Sequence, residues 1–319
     1  MTINSARLGN YAVQSGRYNR RNLNSGISTQ DRLMMATIEL EKPPSTMSLY
    51  YRAVTSKKPG KMQGDTLPTI KAHLRDVTAD LGKLAEYRNV CGFPVSGSLP
   101  VTYPHILAFP LHMEILVNPL FPFPLLGLVH VRNEITQYRA IGNQEAMDIE
   151  CELVGPDEVG KGLEFSIITR VSVEGKLVWE SVSTNLFRTK TSVEDKKDKK
   201  EDTFSADNMD YWSVPDNIGR RYAKVSGDSN LIHLYAVTAK LFGFKRHIAH
   251  GMWSKARALG ALEEQLPKGP FKVSVAFKLP VFLPAKVQFQ YANTGDTVEF
   301  RIKDQNGEKP HLSGQIQSL

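Results

Sequence analysis

Between residues 127 and 190, apolar side chains recur at alternate positions in run after run, which commits this stretch to antiparallel sheet with one buried face. The runs cover residues 128–131, 146–154, 163–173 and 176–187, and Glu174-Gly175 between the last two is hairpin-turn chemistry. A long meander is the simplest arrangement of such runs. Beyond them, residues 191–202 carry nearly cancelling charges, one apolar residue (Val193) and no periodicity, the marks of an exposed connector.

The most apolar stretch, residues 106–131, is broken by Pro110, Pro119, Pro122 and Pro124 and contains His112 and Glu114. A membrane-spanning helix needs about twenty apolar residues without such breaks, so this is core and no membrane span is expected. With 319 residues the chain can hold two domains of ordinary size. Its 40 Lys and Arg against 33 Asp and Glu give a net charge of +7, compatible with phosphate-bearing partners. No basic stripe interleaved with aromatics is present, which argues against nucleic acid. Cys91 and Cys151 are the only cysteines and form no Cys-x-x-Cys pair, pointing to a reducing, cytoplasmic setting. The histidines lack ligand spacings, so neither a metal nor a cofactor is expected. Ahead of Asp31, the first acidic residue, stand Arg7, Arg17, Arg20 and Arg21. Residues 1–45 therefore read as a leader: a transit peptide to an organellar matrix, a disordered segment or an overextended start.

Two short blocks carry the chemistry. Tyr222-Ala-Lys-Val-Ser-Gly-Asp-Ser-Asn-Leu-Ile-His233 contains a carboxylate, Asp228, and an imidazole, His233. On one helix, positions five apart point about 140° away from each other. A corner allows them to converge, with residues 222–225 as a strand, Ser226-Gly227-Asp228 as the turn and His233 at the start of a helix reaching Phe242. The second block, Ile248-Ala-His-Gly-Met252, opens a segment with apolar residues at Met252, Ala256, Leu259, Leu262 and Leu266, a helix of about fifteen residues ended by Pro267 and Gly269. Its first N–H groups lack intrahelical acceptors, and Gly251 removes the side chain where a ligand would approach them. An acid/base pair beside an anion-stabilising helix start suits the addition or removal of water across a polarised double bond.

Together the blocks resemble the MaoC-like acyl dehydratases and (R)-specific enoyl-CoA hydratases, whose signature is Gly-Asp-x-Asn-Pro-Ile-His followed by Ile-x-His-Gly-Met. Leu231 stands where that family usually has Pro, and the segment 277–282 looks like its strand after the central helix. The resemblance implies the hotdog fold, in which an antiparallel sheet wraps one long helix. It makes Asp228 and His233 the catalytic pair and Gly251 N–H the oxyanion donor, with Asn230, His250 and Phe277 completing the substrate-binding set. Which of Asp228 and His233 acts as the base stays open.

The N-terminal half echoes the C-terminal half: Cys91-Gly-Phe93 parallels Phe242-Gly-Phe244, and Tyr103-Pro-His105 with its apolar helix parallels Ala249-His-Gly251. The expectation is an α+β double hotdog: a leader (1–45), an N-terminal hotdog without the Asp/His block (46–190), a charged linker (191–208) and a C-terminal catalytic hotdog (209–319). The chain would be a hydro-lyase acting on acyl-CoA or acyl-carrier-protein thioesters, as a single chain or a homodimer. A non-catalytic acyl-thioester-binding module and a hotdog thioesterase are the alternatives.

Overall fold

The computed structural model describes residues 35–62, 64–125, 127–194 and 204–319. Strand β1 (Met35–Leu40) lies parallel to β2 (Thr69–Val77), with helix α1 (Thr46–Thr55) between them in the chain. Helices α2 (Leu81–Cys91) and α3 (Tyr103–Val117) follow, then β3 (Val129–Gln137), β4 (Met147–Val159), β5 (Gly162–Val173) and β6 (Lys176–Arg188). The second half begins with β7 (Asn208–Val214) and α4 (Ile218–Ser226), a 3-10 turn (Leu231–His233) and the short α5 (Ala236–Lys240). It ends with α6 (Gly251–Ala261), β8 (Phe271–Phe277), β9 (Ala285–Thr294), β10 (Thr297–Asp304) and β11 (Pro310–Ser318).

All these strands join one sheet in the order β1-β2-β4-β5-β6-β3-β8-β11-β10-β9-β7. Apart from β1, the two ends mirror each other. In each half the first strand is outermost, a three-strand meander follows, and the strand after the long helix is innermost. The halves meet where β3 pairs antiparallel with β8, placing Ile135 opposite Val273 at the buried centre. Helix α3 packs on β2, β4 and β5, and α6 packs on β10 and β11. This is the double hotdog, a sheet wrapped around one long helix in each half.

Helix α3 is buried nearly all round, as a central helix must be, with Ala108, Leu111 and Ile115 fully enclosed. The seam between the halves is tight on the helix side too. A Cβ on Gly260 of α6 would lie 2.8 Å from Gly92 O and 2.9 Å from Cys91 O, so only glycine lets α6 pass the end of α2. Trp253 Nε1 donates to Val90 O (3.1 Å) across the same contact.

Several local expectations are corrected. The leader expected over 1–45 gives way to structure by Met35, where Ala36, Ile38 and Leu40 alternate inward onto the core; residues 1–34 lie outside the described ones. So do residues 195–203 of the connector. The meander runs only from β4 to β6: β3 pairs instead with β6 on one edge and β8 on the other, which satisfies its backbone groups on both sides. Residues 222–225 are helical, since Ile218, Tyr222 and Val225 bury one face of α4, a period that four residues are too few to reveal. The expected helix from His233 to Phe242 is split into the 3-10 turn and α5. Helix α6 spans 11 residues, not fifteen, and passes into a 3-10 turn (Glu263–Gln265) before Pro267. Segment 277–282 is no strand: β8 ends at Phe277, and Pro280 follows where a ladder N–H would be needed. The glycine equivalent to Gly92 is Gly227, not Gly243. Both cap the helix after the first strand of their half in the left-handed conformation (φ 77° and 75°). Phe93 thus occupies, in the N-terminal half, the place of Asp228.

No helix among the described residues is long and apolar enough to cross a membrane.

Candidate active site

Helix α4 delivers the carboxylate. A Cβ on Gly219 would lie 2.0 Å from His233 O, so glycine at this position lets α4 run directly against the 3-10 turn that carries His233. Gly227 then turns the chain, its N–H returning to Ala223 O (2.9 Å), and Asp228 follows. Oδ1 of Asp228 accepts from the Asn230 N–H (3.2 Å) and from the Tyr50 hydroxyl of α1 (2.6 Å). Asn230 in turn caps the 3-10 turn, its Oδ1 accepting from Ile232 N–H (3.4 Å). At Leu231, where the family usually has Pro, the turn is tied down by a side chain: Thr238 Oγ1 donates to Leu231 O (2.7 Å).

His233 is buried, and its Nδ1 lies 2.8 Å from Ile248 O. A carbonyl can only accept, so Nδ1 carries the proton and Nε2 keeps its lone pair. His250, the residue before α6, stacks on His233 with ring centroids 3.7 Å apart and places Nε2 3.0 Å from Asp228 O. The ligand atoms of Asp228, His233 and His250 all lie within 4.8 Å of one another, the one such trio among the described residues with metal-ligating potential. One nitrogen of each ring already serves a backbone carbonyl.

Burial, reinforced by His250, pushes the His233 imidazole down to about 3, so it is neutral at physiological pH. Burial likewise lowers His250, against the pull of Asp228. For Asp228 burial works the other way, but the two imidazoles, Tyr50 and Asn230 outweigh it and the carboxyl lies below its ordinary range. Tyr50 and Asn230 contribute through their hydrogen bonds to Oδ1.

Gly251 begins α6, and the first backbone bond into the helix comes from Ser254 N–H to His250 O (3.1 Å). The N–H groups of Gly251, Met252 and Trp253 therefore have no intrahelical acceptor and form the positive end of the helix. Phe277, the last residue of β8, covers this start: its ring carbons would stand 3.0–3.2 Å from a Gly251 Cβ. Asp228, His233, Gly251, Asn230 and Phe277 all line one cavity of about 600 Å³; His250 stands behind, supporting His233. The cavity extends along α3 past Ile106, Phe109 and Met113, and Arg188 and Lys278 stand exposed on its lining.

Two contributions could not be read from sequence. Tyr50 stands next to Tyr51 on a half-exposed helix, 178 positions from Asp228. His105 and His130 also face the cavity, though only the place of His105 in an apolar helix start was legible.

Comparison with known proteins follows the same lines. A family model described as MaoC like domain matches residues 188–315. The 3-hydroxyacyl-thioester dehydratase X of Mycobacterium tuberculosis is 32% identical over 279 residues, covering 86% of this chain and 99% of that protein. A crystal structure of HtdX from that organism matches with a TM-score of 0.69 at 30% identity, over 78% of this chain and 100% of the other. A MaoC-like dehydratase from Phytophthora capsici matches in fold, with a TM-score of 0.63 at 20% identity over 80% of this chain and 96% of the other.

Proposed function

The chain belongs to the MaoC-like dehydratase family, and from that premise we propose that it reversibly hydrates trans-2-enoyl thioesters to (R)-3-hydroxyacyl thioesters of fatty acid metabolism. It is a hydro-lyase. We assign the chemistry to the C-terminal hotdog, residues 209–319, and the floor of the acyl cavity to the N-terminal one, residues 46–190. The observation that carries this assignment is the His233 Nδ1 bond to Ile248 O, which leaves a bare Nε2 beside the ionised Asp228 on one cavity.

The two acceptors hold one water by its two hydrogens, so its oxygen presents a lone pair to Cβ of the enoyl group. The thioester carbonyl lies at the start of α6 and accepts from Gly251 N–H, which draws electron density from Cβ and stabilises the enolate that forms. Water oxygen bonds to Cβ, and the π electrons move onto the carbonyl oxygen. The proton shed by the water passes through the Asp228/His233 pair to Cα as the enolate collapses, on the face from which oxygen arrived. Dehydration retraces the same path.

The acyl carrier is coenzyme A or a carrier protein; the exposed Arg188 and Lys278 suit the phosphates of either. Cys91 and Cys151 are free and buried, which suits a reducing compartment.

The test is to mix the purified protein with a trans-2-enoyl-CoA and follow enoyl absorbance and product stereochemistry. Loss of absorbance with formation of the (R)-3-hydroxyacyl ester is the expected result. Release of free coenzyme A with the enoyl group intact would make it a thioesterase, and no turnover would leave a binding module.

A further inference from the structure

Between Asp228 and Glu263 the chain carries no acidic residue, while Lys240, Lys245 and Arg246 stand exposed in or just after α5. Exposed cations elsewhere have partners: Arg132 pairs with Glu164, and Arg139 with Glu145. Among the described residues Lys240, Lys245 and Arg246 make no ion pair. The nearby Asp216 is taken up by Arg220 (3.2 Å) and His247 (3.3 Å).

The same segment leaves aliphatic side chains in water. Val237 of α5 and Leu241, one turn later on the same face, are 73% and 78% exposed. Apolar surface framed by charge is the composition of a protein-binding patch. This patch also borders the reaction chamber, because Phe242 and Phe244, interleaved with the exposed residues, line the cavity. Ala249 N–H donates to Val281 O (2.9 Å) and Ile248 pairs with Phe282, so the segment runs beside the one that puts the exposed Lys278 on the same lining.

We propose that this rim, residues 237–246, docks an acidic acyl carrier protein, so that the enoyl group enters the cavity on a protein-borne phosphopantetheine arm and not on coenzyme A. The proposal rests on the hydratase reading and deepens it by naming the partner. Coenzyme A brings phosphates and an adenosine, which Arg188 and Lys278 on the lining can meet, and it has no use for aliphatic surface outside that lining. An acidic protein supplies carboxylates for the three unpaired cations and apolar side chains to cover Val237 and Leu241.

The experiment measures kcat/KM for a trans-2-octenoyl group presented on a freestanding acidic carrier protein, on coenzyme A and on pantetheine, which brings neither phosphate nor protein. The carrier protein should come first, about tenfold or more above pantetheine at low salt, with the gap closing as salt screens the charges. The combined variant Lys240→Glu, Lys245→Glu, Arg246→Glu should lower the carrier-protein value about tenfold or more and leave pantetheine unchanged. Val237→Ser with Leu241→Ser should act in the same selective way. Lys176→Glu, at the end of β6 remote from Arg188, is the charge control and should change neither value. Equal losses on coenzyme A and on the carrier protein would assign the cations to nucleotide phosphates. Capture by phosphatidylserine vesicles that the triple variant loses, without any preference for the carrier protein, would assign them to a membrane. Either result overturns the proposal, as does a carrier-protein value indifferent to charge reversal. Should a variant fail to fold, the salt dependence of the wild type decides, and its absence overturns the proposal. If no ester is turned over, the hydratase reading fails instead, and docking is judged by calorimetry with the enoyl-loaded carrier protein: binding lost in the triple variant sustains it, and no binding overturns it.

Discussion

The hydroxyl of Tyr50 donates to Oδ1 of Asp228 across 2.6 Å, joining the first described helix to a loop 178 positions further along the chain. The bond fixes one carboxylate oxygen and leaves Oδ2 for substrate or water. Around it, Leu49 of α1 is buried against Met113 and Val117 of α3, and Arg52 pairs with Glu114 (2.8 Å), so α1 is anchored on both sides of the tyrosine.

Removing that hydroxyl has a definite sign. Tyr50 lowers the Asp228 carboxyl, so Tyr50→Phe raises it and moves the acid limb of the kcat/KM profile to higher pH. At neutral pH the loss should be modest, about tenfold, because a hydrogen bond to a charged group disappears while the reacting groups remain. A pH–rate profile of the variant checks this; an unmoved acid limb would mean that Tyr50 only packs.

Asp228→Asn and His233→Ala should each lower kcat by about 10²–10⁴-fold with the fold retained, the usual cost of losing a positioned acid/base group. Steady-state turnover alongside circular dichroism is the check. A folded variant keeping a third of the wild-type rate would remove that residue from the mechanism.

At Gly251 packing and chemistry can be separated. The added methyl of Gly251→Ala meets the Phe277 ring at 3.0–3.2 Å, so it both crowds Phe277 and fills the approach to the helix start. Pairing it with Phe277→Leu should restore the thermal midpoint. If Gly251 N–H binds the thioester oxygen, kcat should stay depressed by about 10²-fold or more in the double variant. Recovery of both together would assign the glycine to packing alone.

Stability should fall as the solution is acidified through the histidine range. His233 and His112 are pushed down to about 3 and His130 to about 4 by burial, from an ordinary value of 6.5. Between those limits the unfolded chain binds protons that the native state refuses, so stability is full above pH 6.5 and drains away as pH drops towards 3. Asp228, whose carboxyl is lowered, adds its own loss at the bottom of that window. Thermal midpoints across this range measure the slope, and His130→Phe should make it shallower.

Much of the fold was legible because its signals are local. Strand alternation marked β4, β5 and β6, and Glu174-Gly175 marked a hairpin in which both residues take positive φ (50° and 73°). The Asp228/His233 corner was legible because turn chemistry and a helix start sit within a few residues of each other. What escaped depends on distance. The flanking strands of β3 are set by the meeting of two halves, which no window of sequence contains. Residues 222–225 alone alternate like a strand, whereas the burial period of α4 starts at Ile218. Tyr50 carries no signature at all: its role comes from α1 lying across α3, not from its neighbours in the chain.

The single antiparallel contact of β3 with β8 makes one polypeptide do what two identical copies would otherwise do side by side. Identical copies would carry two equal reaction chambers, and any change to a chamber wall would be imposed on both its chemistry and its capacity. Here the place of the second carboxylate is taken by Phe93, stacked on Tyr87 in the core. Helix α3 of that half lines the cavity past Ile106, Phe109 and Met113. Substitutions there can retune which chains are admitted while Asp228 and His233 keep their setting, so selectivity and reactivity can vary independently along one gene product.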